Sequence, residues 1–194
     1  DLVVKLHAKK IVIGDFNENN VIVVRGKPYL IDADSMQFAG FLCRSFMLRC
    51  VAPELIGFEG LPPVTEKERK SRKKKPKDDA EEDASSTKRT RKKKAVTNEE
   101  EKQPISCTMV APHTAATDWY SFLVIAMRLI THTDPYGGVV SDMTLEERIR
   151  DRVTVFDPRV MYPTVARPLT AVPRPILKEF LRMFQRGERF IPEK

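Results

Sequence analysis

The sequence predicts an α+β fold, mainly helical, with a small β-hairpin. Three observations carry that expectation. Residues 118–130 are the most apolar stretch, with Trp119, Phe122, Leu123, Ile125, Ala126, Leu129 and Ile130 at helical spacing. A β-branched run, Val21 to Val24, is followed by Arg25-Gly26-Lys27-Pro28 and then by Tyr29 to Ile31, the order of a strand, a turn and a return strand. Hydrophobic residues make up 41% of the 194, enough for the core of one ordinary domain. No run of 18 apolar residues occurs, so no membrane span is expected.

Taken in order, the chain opens in a helical pattern from Asp1 to Lys9, with Leu2, Val3 and Leu6 on one face and His7 as a packing neighbour. No initiator Met precedes it, which suggests that an upstream part was not included. Ile11 to Ile13 and Val21 to Val24 read as short buried strands. Between them lies the loop Gly14-Asp15-Phe16-Asn17. An Asp in such a loop commonly serves a turn. Residues 38–51 carry Phe38, Phe41, Leu42, Phe46, Met47 and Leu48 without a period, and read as a segment packed on the rest of the fold. Composition then shifts sharply. Thr65 to Gln103 contains Lys73-Lys74-Lys75-Pro76, Arg91-Lys92-Lys93-Lys94 and two acidic clusters, with no aromatic residue. Such a stretch buries too little apolar surface to fold, so 64–104 is expected to be a disordered insertion.

Beyond it, the 118–130 helix is apolar nearly all round, as a central buried helix should be, with Thr117 or Asp118 as its N-cap. Asp134-Pro135-Tyr136-Gly137-Gly138 is a turn, and Thr144-Leu145-Glu146-Glu147 opens a short helix with a capping box. Residues 153–175 are Pro-rich and extended. Ile176 to Phe184 is a last amphipathic helix.

Several of these features fall in an informative order. Asp15 is followed five residues later by Asn20, and Asp32 stands at the end of the return strand. Ala52-Pro53-Glu54 follows, and Asp118-Trp119-Tyr120-Ser121 leads into the long helix. In this order the chain resembles the C-terminal lobe of a protein-kinase-like domain. It is most similar to bacterial kinase-like proteins with Gly-Asp-x-Asn-x-x-Asn and Ile-Asp-x-Asp-Ser-x-Gln motifs. Here these read Gly14-Asp15-Phe16-Asn17-Glu18-Asn19-Asn20 and Ile31-Asp32-Ala33-Asp34-Ser35-Met36-Gln37. The resemblance spans 1–63 and 105–194, as two parts of one lobe around the charged insertion.

The resemblance implies phosphoryl transfer from ATP to a protein Ser/Thr hydroxyl, with Mg²⁺ as cofactor. Asp15 would accept the hydroxyl proton, and Asn20 and Asp32 would hold the metal. Asp34 would be a second metal ligand or a turn residue. Glu54 would be buried and paired with Arg189, and Asp118 would support the catalytic-loop backbone. The chain departs from the kinase pattern at several places. Ile13-Gly14 replaces the usual His-Arg, which removes the usual partner of a phosphorylated activation segment. Asn17 replaces the usual Lys, so it supplies a hydrogen bond but no charge at the phosphate. Arg44 and Arg49 are candidate replacements for that cation. Asp32-Ala33-Asp34 replaces Asp-Phe-Gly. These departures keep a pseudokinase scaffold open as the alternative.

No Gly-rich phosphate loop and no Val-Ala-x-Lys strand occurs in the sequence. Both belong to the N-terminal lobe of kinases, so that lobe is an expected partner for binding nucleotide. The net charge of +7 is local. Residues 66–102 hold 15 Lys and Arg against 10 Asp and Glu, five of the seven net charges. Nucleic-acid binding through these runs is a weaker alternative; without aromatic residues it would not use base stacking. The three cysteines, Cys43, Cys50 and Cys107, show no C-x-x-C spacing and read as free thiols in a reducing compartment. Redox sensing by Cys43 and Cys50 would need lowered pKa values. The expected location is cytoplasmic, or nuclear if the source is eukaryotic.

Overall fold

The structure, a computed structural model, describes residues 2–61 and 105–192. The 64–104 insertion and its Lys/Arg runs therefore lie outside the described residues. Asp1–Glu59 and Ser106–Lys194 form one compact unit.

Within that unit the fold is α+β, with four helices and two small antiparallel ribbons. Helix α1 spans Leu2–Ala8. Strands β1 (Val21–Val24) and β2 (Lys27–Leu30) pair in register Val21↔Leu30. The two-residue turn between them has Arg25 and Gly26 both at positive φ, 52° and 73°. That is the mirror-image turn whose twist suits a hairpin. Strands β3 (Ile56–Glu59) and β4 (Ser106–Met109) form the second ribbon. Helices α2 (Ala115–Thr131), α3 (Leu145–Asp151) and α4 (Arg174–Phe180) follow, and α4 runs into a π-helical turn at Leu181–Gln185. Among the described residues no helix is long and apolar enough to cross a membrane.

Helix α2 is the centre. Tyr120, Leu123, Val124 and Met127 are buried in one cluster with Val153, Phe180, Met183 and Phe184. The Tyr120 and Phe184 rings meet edge to face at 5.3 Å. Burial of these side chains, at about 1.5–3 kcal/mol each, is the main local source of stability. Three expectations are corrected here. The helix is amphipathic, since Leu129 is 75% exposed. Its inward stripe suffices to fill the core, and the opposite stripe faces out. Its N-cap is Thr114, whose side chain forms a capping box with Thr117; the helix begins before Asp118 and frees that carboxylate for other partners. The strands at 11–13 and 21–24 are not both buried strands. Val12 makes only an isolated bridge, and Val23 on β1 is 68% exposed. Only Val21 and Leu30, at the root of the hairpin, pack on the core.

Local signals elsewhere match the structure. Thr144 and Glu147 close a capping box on α3. In the 134–138 turn the Tyr136 amide donates to Asp134 Oδ1 at 2.8 Å. The buried Arg148 guanidinium satisfies itself on the carbonyls of Gly137, Gly138 and Val153.

Candidate functional site

Two short loops, 13–20 and 31–36, are held side by side by pairing at both ends. At one end Val12 and Gln37 exchange backbone hydrogen bonds of 2.9 and 2.7 Å. At the other, the Ile31 amide donates to the Asn20 carbonyl at 3.0 Å, continuing the β1–β2 register. Asp15, Asn17 and Asn20 lie on the first loop, Asp32 and Asp34 on the second. Loop residues placed by pinned ends are a common way to present functional groups.

The first loop is organised around Asp15. Asn20 Nδ2 donates to the Asp15 carbonyl at 2.9 Å. Asn17 Nδ2 donates to Asp15 Oδ1 at 2.9 Å and to the Asp15 carbonyl at 3.2 Å. Asn17 Oδ1 accepts from the Asn19 amide at 3.0 Å, capping a 3₁₀ turn over Glu18–Asn20. At 3% exposure, Asn17 faces inward. Its amide is committed to Asp15 and to the turn, which corrects its expected place at a phosphate. The Met47 amide, from the 38–51 segment, also donates to Asp15 Oδ1 at 3.0 Å.

Asp118 anchors the loop from below. Its carboxylate is fully buried and accepts from the Ile13 amide at 2.7 Å, the Gly14 amide at 3.0 Å and His7 Nε2 at 2.9 Å. The carboxylate partner makes Nε2 the protonated ring nitrogen of His7. Burial pushes the Asp118 carboxyl above its ordinary value, and the bonds from His7, Ile13 and Gly14 oppose that rise. Gly14 is required at its position. Its φ is +78°, and an added Cβ would lie 2.8 Å from both Cys43 Cβ and the Ser35 carbonyl.

On the second loop Asp32 adopts a left-handed conformation, φ 60° and ψ 55°, and makes no side-chain capping bond. Non-glycine residues held there are uncommon and cluster at functional sites. Asp32 and Asp34 are both exposed. Among the described residues no three His, Cys, Asp or Glu side chains gather as a metal cage. The oxygen donors on these loops are the open Asp32 and Asp34 carboxylates and the Asn20 amide oxygen, whose nitrogen is turned to Asp15; Asn20 and Asp32 are the expected metal-holding pair, with Asp34 beside them. An all-oxygen pair suits Mg²⁺, which keeps waters and takes phosphate oxygens for the rest of its shell.

The flanking segment is fastened to the rest of the fold at several points. His113 Nε2 donates to the Ser45 carbonyl at 3.1 Å, Gln37 Nε2 to the His113 carbonyl at 2.9 Å, and Ser121 Oγ to the Cys50 carbonyl at 2.8 Å. Arg49 pairs with Asp134 at 2.9 Å, so it is committed elsewhere. Arg44 is exposed and lines a cleft of about 270 Å³ with Leu42, Cys43 and Met109–Pro112. Arg189 grips Glu54 with two bonds of 2.6 and 2.5 Å. The Glu54 side chain is 36% exposed, which corrects the expectation of a buried charge: the 3₁₀ turn at Pro53–Leu55 buries its neighbours and leaves Glu54 at the edge. Cys43 and Cys50 are buried thiols. Burial raises both, Cys50 to about 12 with help from Glu18, so neither is a poised redox sensor.

Four bonding roles were not legible from the sequence, although Gln37 and Ser121 stand in the quoted motifs: those of the Met47 amide, Gln37, His113 and Ser121. The first is a main-chain group and carries no side-chain signal. The other three act on carbonyls many residues away in sequence. No protein-family model matches the chain, and no curated protein matches it either.

Proposed function

We propose that the chain is the C-terminal half of a protein-kinase-like domain that transfers the γ-phosphoryl group of ATP to a protein Ser/Thr hydroxyl. The observation that carries this reading is the loop pair. A buried Asp118 holds the Ile13 and Gly14 amides, Asn20 clamps the Asp15 carbonyl, and the pairing at both ends brings Asp32 alongside. Asp15 takes the proton of the attacking hydroxyl. The hydroxyl oxygen forms its bond to the γ-phosphorus, and the bond to the ADP oxygen breaks with its electron pair leaving on ADP. Asn20 and Asp32 would hold Mg²⁺, which supplies charge neutralisation at the phosphates. Asp34 serves the turn or the metal beside them. An N-terminal lobe completes the nucleotide cleft.

One observation favours the pseudokinase as the second reading. The loop 13–20 contains no Lys or Arg, and the Asn17 amide faces Asp15. The test uses the protein with its N-terminal region present, Mg·ATP and a panel of Ser/Thr peptides. Asp32→Asn is expected to weaken Mg-dependent ATP binding and stop turnover. Asp15→Asn should spare binding and lower turnover by roughly 100-fold or more, the scale of a lost general base. Equal turnover in all three proteins would refute the site. ATP binding without transfer by the wild type would assign the scaffold role.

A further inference from the structure

We propose that Asn17 is a positioning residue for Asp15, in place of a cation at the phosphate. This rests on the reading of Asp15 as the base. Both bonds from the Asn17 amide nitrogen go to Asp15, at 2.9 Å to Oδ1 and 3.2 Å to the carbonyl. The residue is 3% exposed, so it does not reach outward to a ligand. The second donor to Asp15 Oδ1 is the Met47 amide at 3.0 Å, 32 residues away on the flanking segment. Two donors from two elements therefore hold one carboxylate oxygen and set the side-chain rotamer. Oδ2 is left to take the hydroxyl proton. A base fixed in this way is already oriented when the acceptor arrives, which is worth rate because small misplacements of reacting groups are costly.

The arrangement separates two roles within one side chain. Asn17 Oδ1 caps the 3₁₀ turn through the Asn19 amide, and Nδ2 orients the base. Asn17→Ser keeps a capping oxygen and loses the donor that reaches the carboxylate. Asn17→Asp also keeps a capping oxygen, but places a like charge where the donor was.

The experiment measures kcat and KM for Mg·ATP and for a peptide acceptor, thermal stability, and the crystal structure of each variant. Asn17→Ser is expected to lower kcat roughly 10–100-fold with both KM values unchanged and stability close to wild type. Asn17→Asp should lose more kcat. In the Asn17→Ser structure the Asp15 carboxylate should leave its place under the Met47 amide. Wild-type kcat in Asn17→Ser would overturn the proposal, as would a loss of rate that only tracks lost folding. If the wild type binds Mg·ATP and transfers nothing, the kinase reading fails, and the structural readout then decides this one: a displaced carboxylate supports it and an unmoved carboxylate overturns it.

Discussion

Asp118 shows how one side chain can hold a loop from another part of the chain. It lies in the first turn of α2, where an acidic residue would ordinarily serve the helix. Here Thr114 takes the cap, and the Asp118 carboxylate turns to the Ile13 and Gly14 amides and to His7. Burying a carboxylate is unfavourable unless donors surround it, and three do. Removal should therefore cost more than the bonds themselves. Asp118→Ala leaves the two amides without a partner in a dry site, at about 1–3 kcal/mol for each unsatisfied group. Urea unfolding should show a loss of roughly 3 kcal/mol. A loss below about 1 kcal/mol would mean that water replaces the carboxylate and that Asp118 is not the anchor. Gly14 obeys the same logic from the other side: the loop can approach Cys43 and Ser35 only because no Cβ intervenes.

At the scale of elements, the 38–54 segment is a strap anchored at four points along its second half. Met47 meets Asp15, Ser45 meets His113, Cys50 meets Ser121, and Glu54 meets Arg189 beyond α4. The last pair makes a pH-dependent fastening. Partial burial raises the Glu54 carboxyl, but the bonds and charge of Arg189 outweigh it, with Arg152 adding to them, and hold it below its ordinary value. A carboxyl lowered in the folded state adds stability above its unfolded value, and that stability is lost as pH falls through the folded value. The wild type should exceed Glu54→Gln by about 1 kcal/mol at pH 7, a modest figure because water screens a pair this exposed. The gap should close as pH falls from about 4.3 downward. Unfolding curves across that range check it. A constant gap from pH 7 to pH 3 would show that the charge of the Glu54 carboxylate is not the source of the difference.

At the scale of the whole molecule, the β3–β4 ribbon flanks residues 60–105 in sequence on both sides. Glu59 and Ser106 are register partners, so the chain leaves and re-enters the fold at neighbouring points. The sequence reading placed the insertion between two parts of one lobe and did not foresee this ribbon. Replacing residues 60–105 by Asn-Gly, a two-residue hairpin turn, should leave the lobe folded. Its melting temperature is expected within about 3 °C of the parent, since 1 kcal/mol corresponds to roughly 2–4 °C at this size. A larger fall would make the insertion part of the core. Binding of a DNA duplex by the parent and not by the shortened protein would favour the Lys/Arg runs as a nucleic-acid site, with log affinity falling steeply with log salt.

The features that can be read along the chain are those that depend on near neighbours. The Thr144–Glu147 box, the Arg25-Gly26 turn, the α2 pattern and the Asp15–Asn20 spacing act over a few residues, so they can be read along the chain. The Glu54–Arg189 pair was placed through the resemblance, and the structure shows it at the edge instead of buried. Tertiary structure decided the rest. Whether Asn17 faces a ligand or Asp15, whether Thr114 or Asp118 caps α2, and which side of β1 meets solvent all depend on what packs alongside. Ile13 and Asp118 are 105 residues apart in sequence, and Asp15 and Met47 are 32. Such bonds form only once the core has brought their elements together, because no local periodicity encodes a partner at that distance and a backbone amide looks the same at every residue.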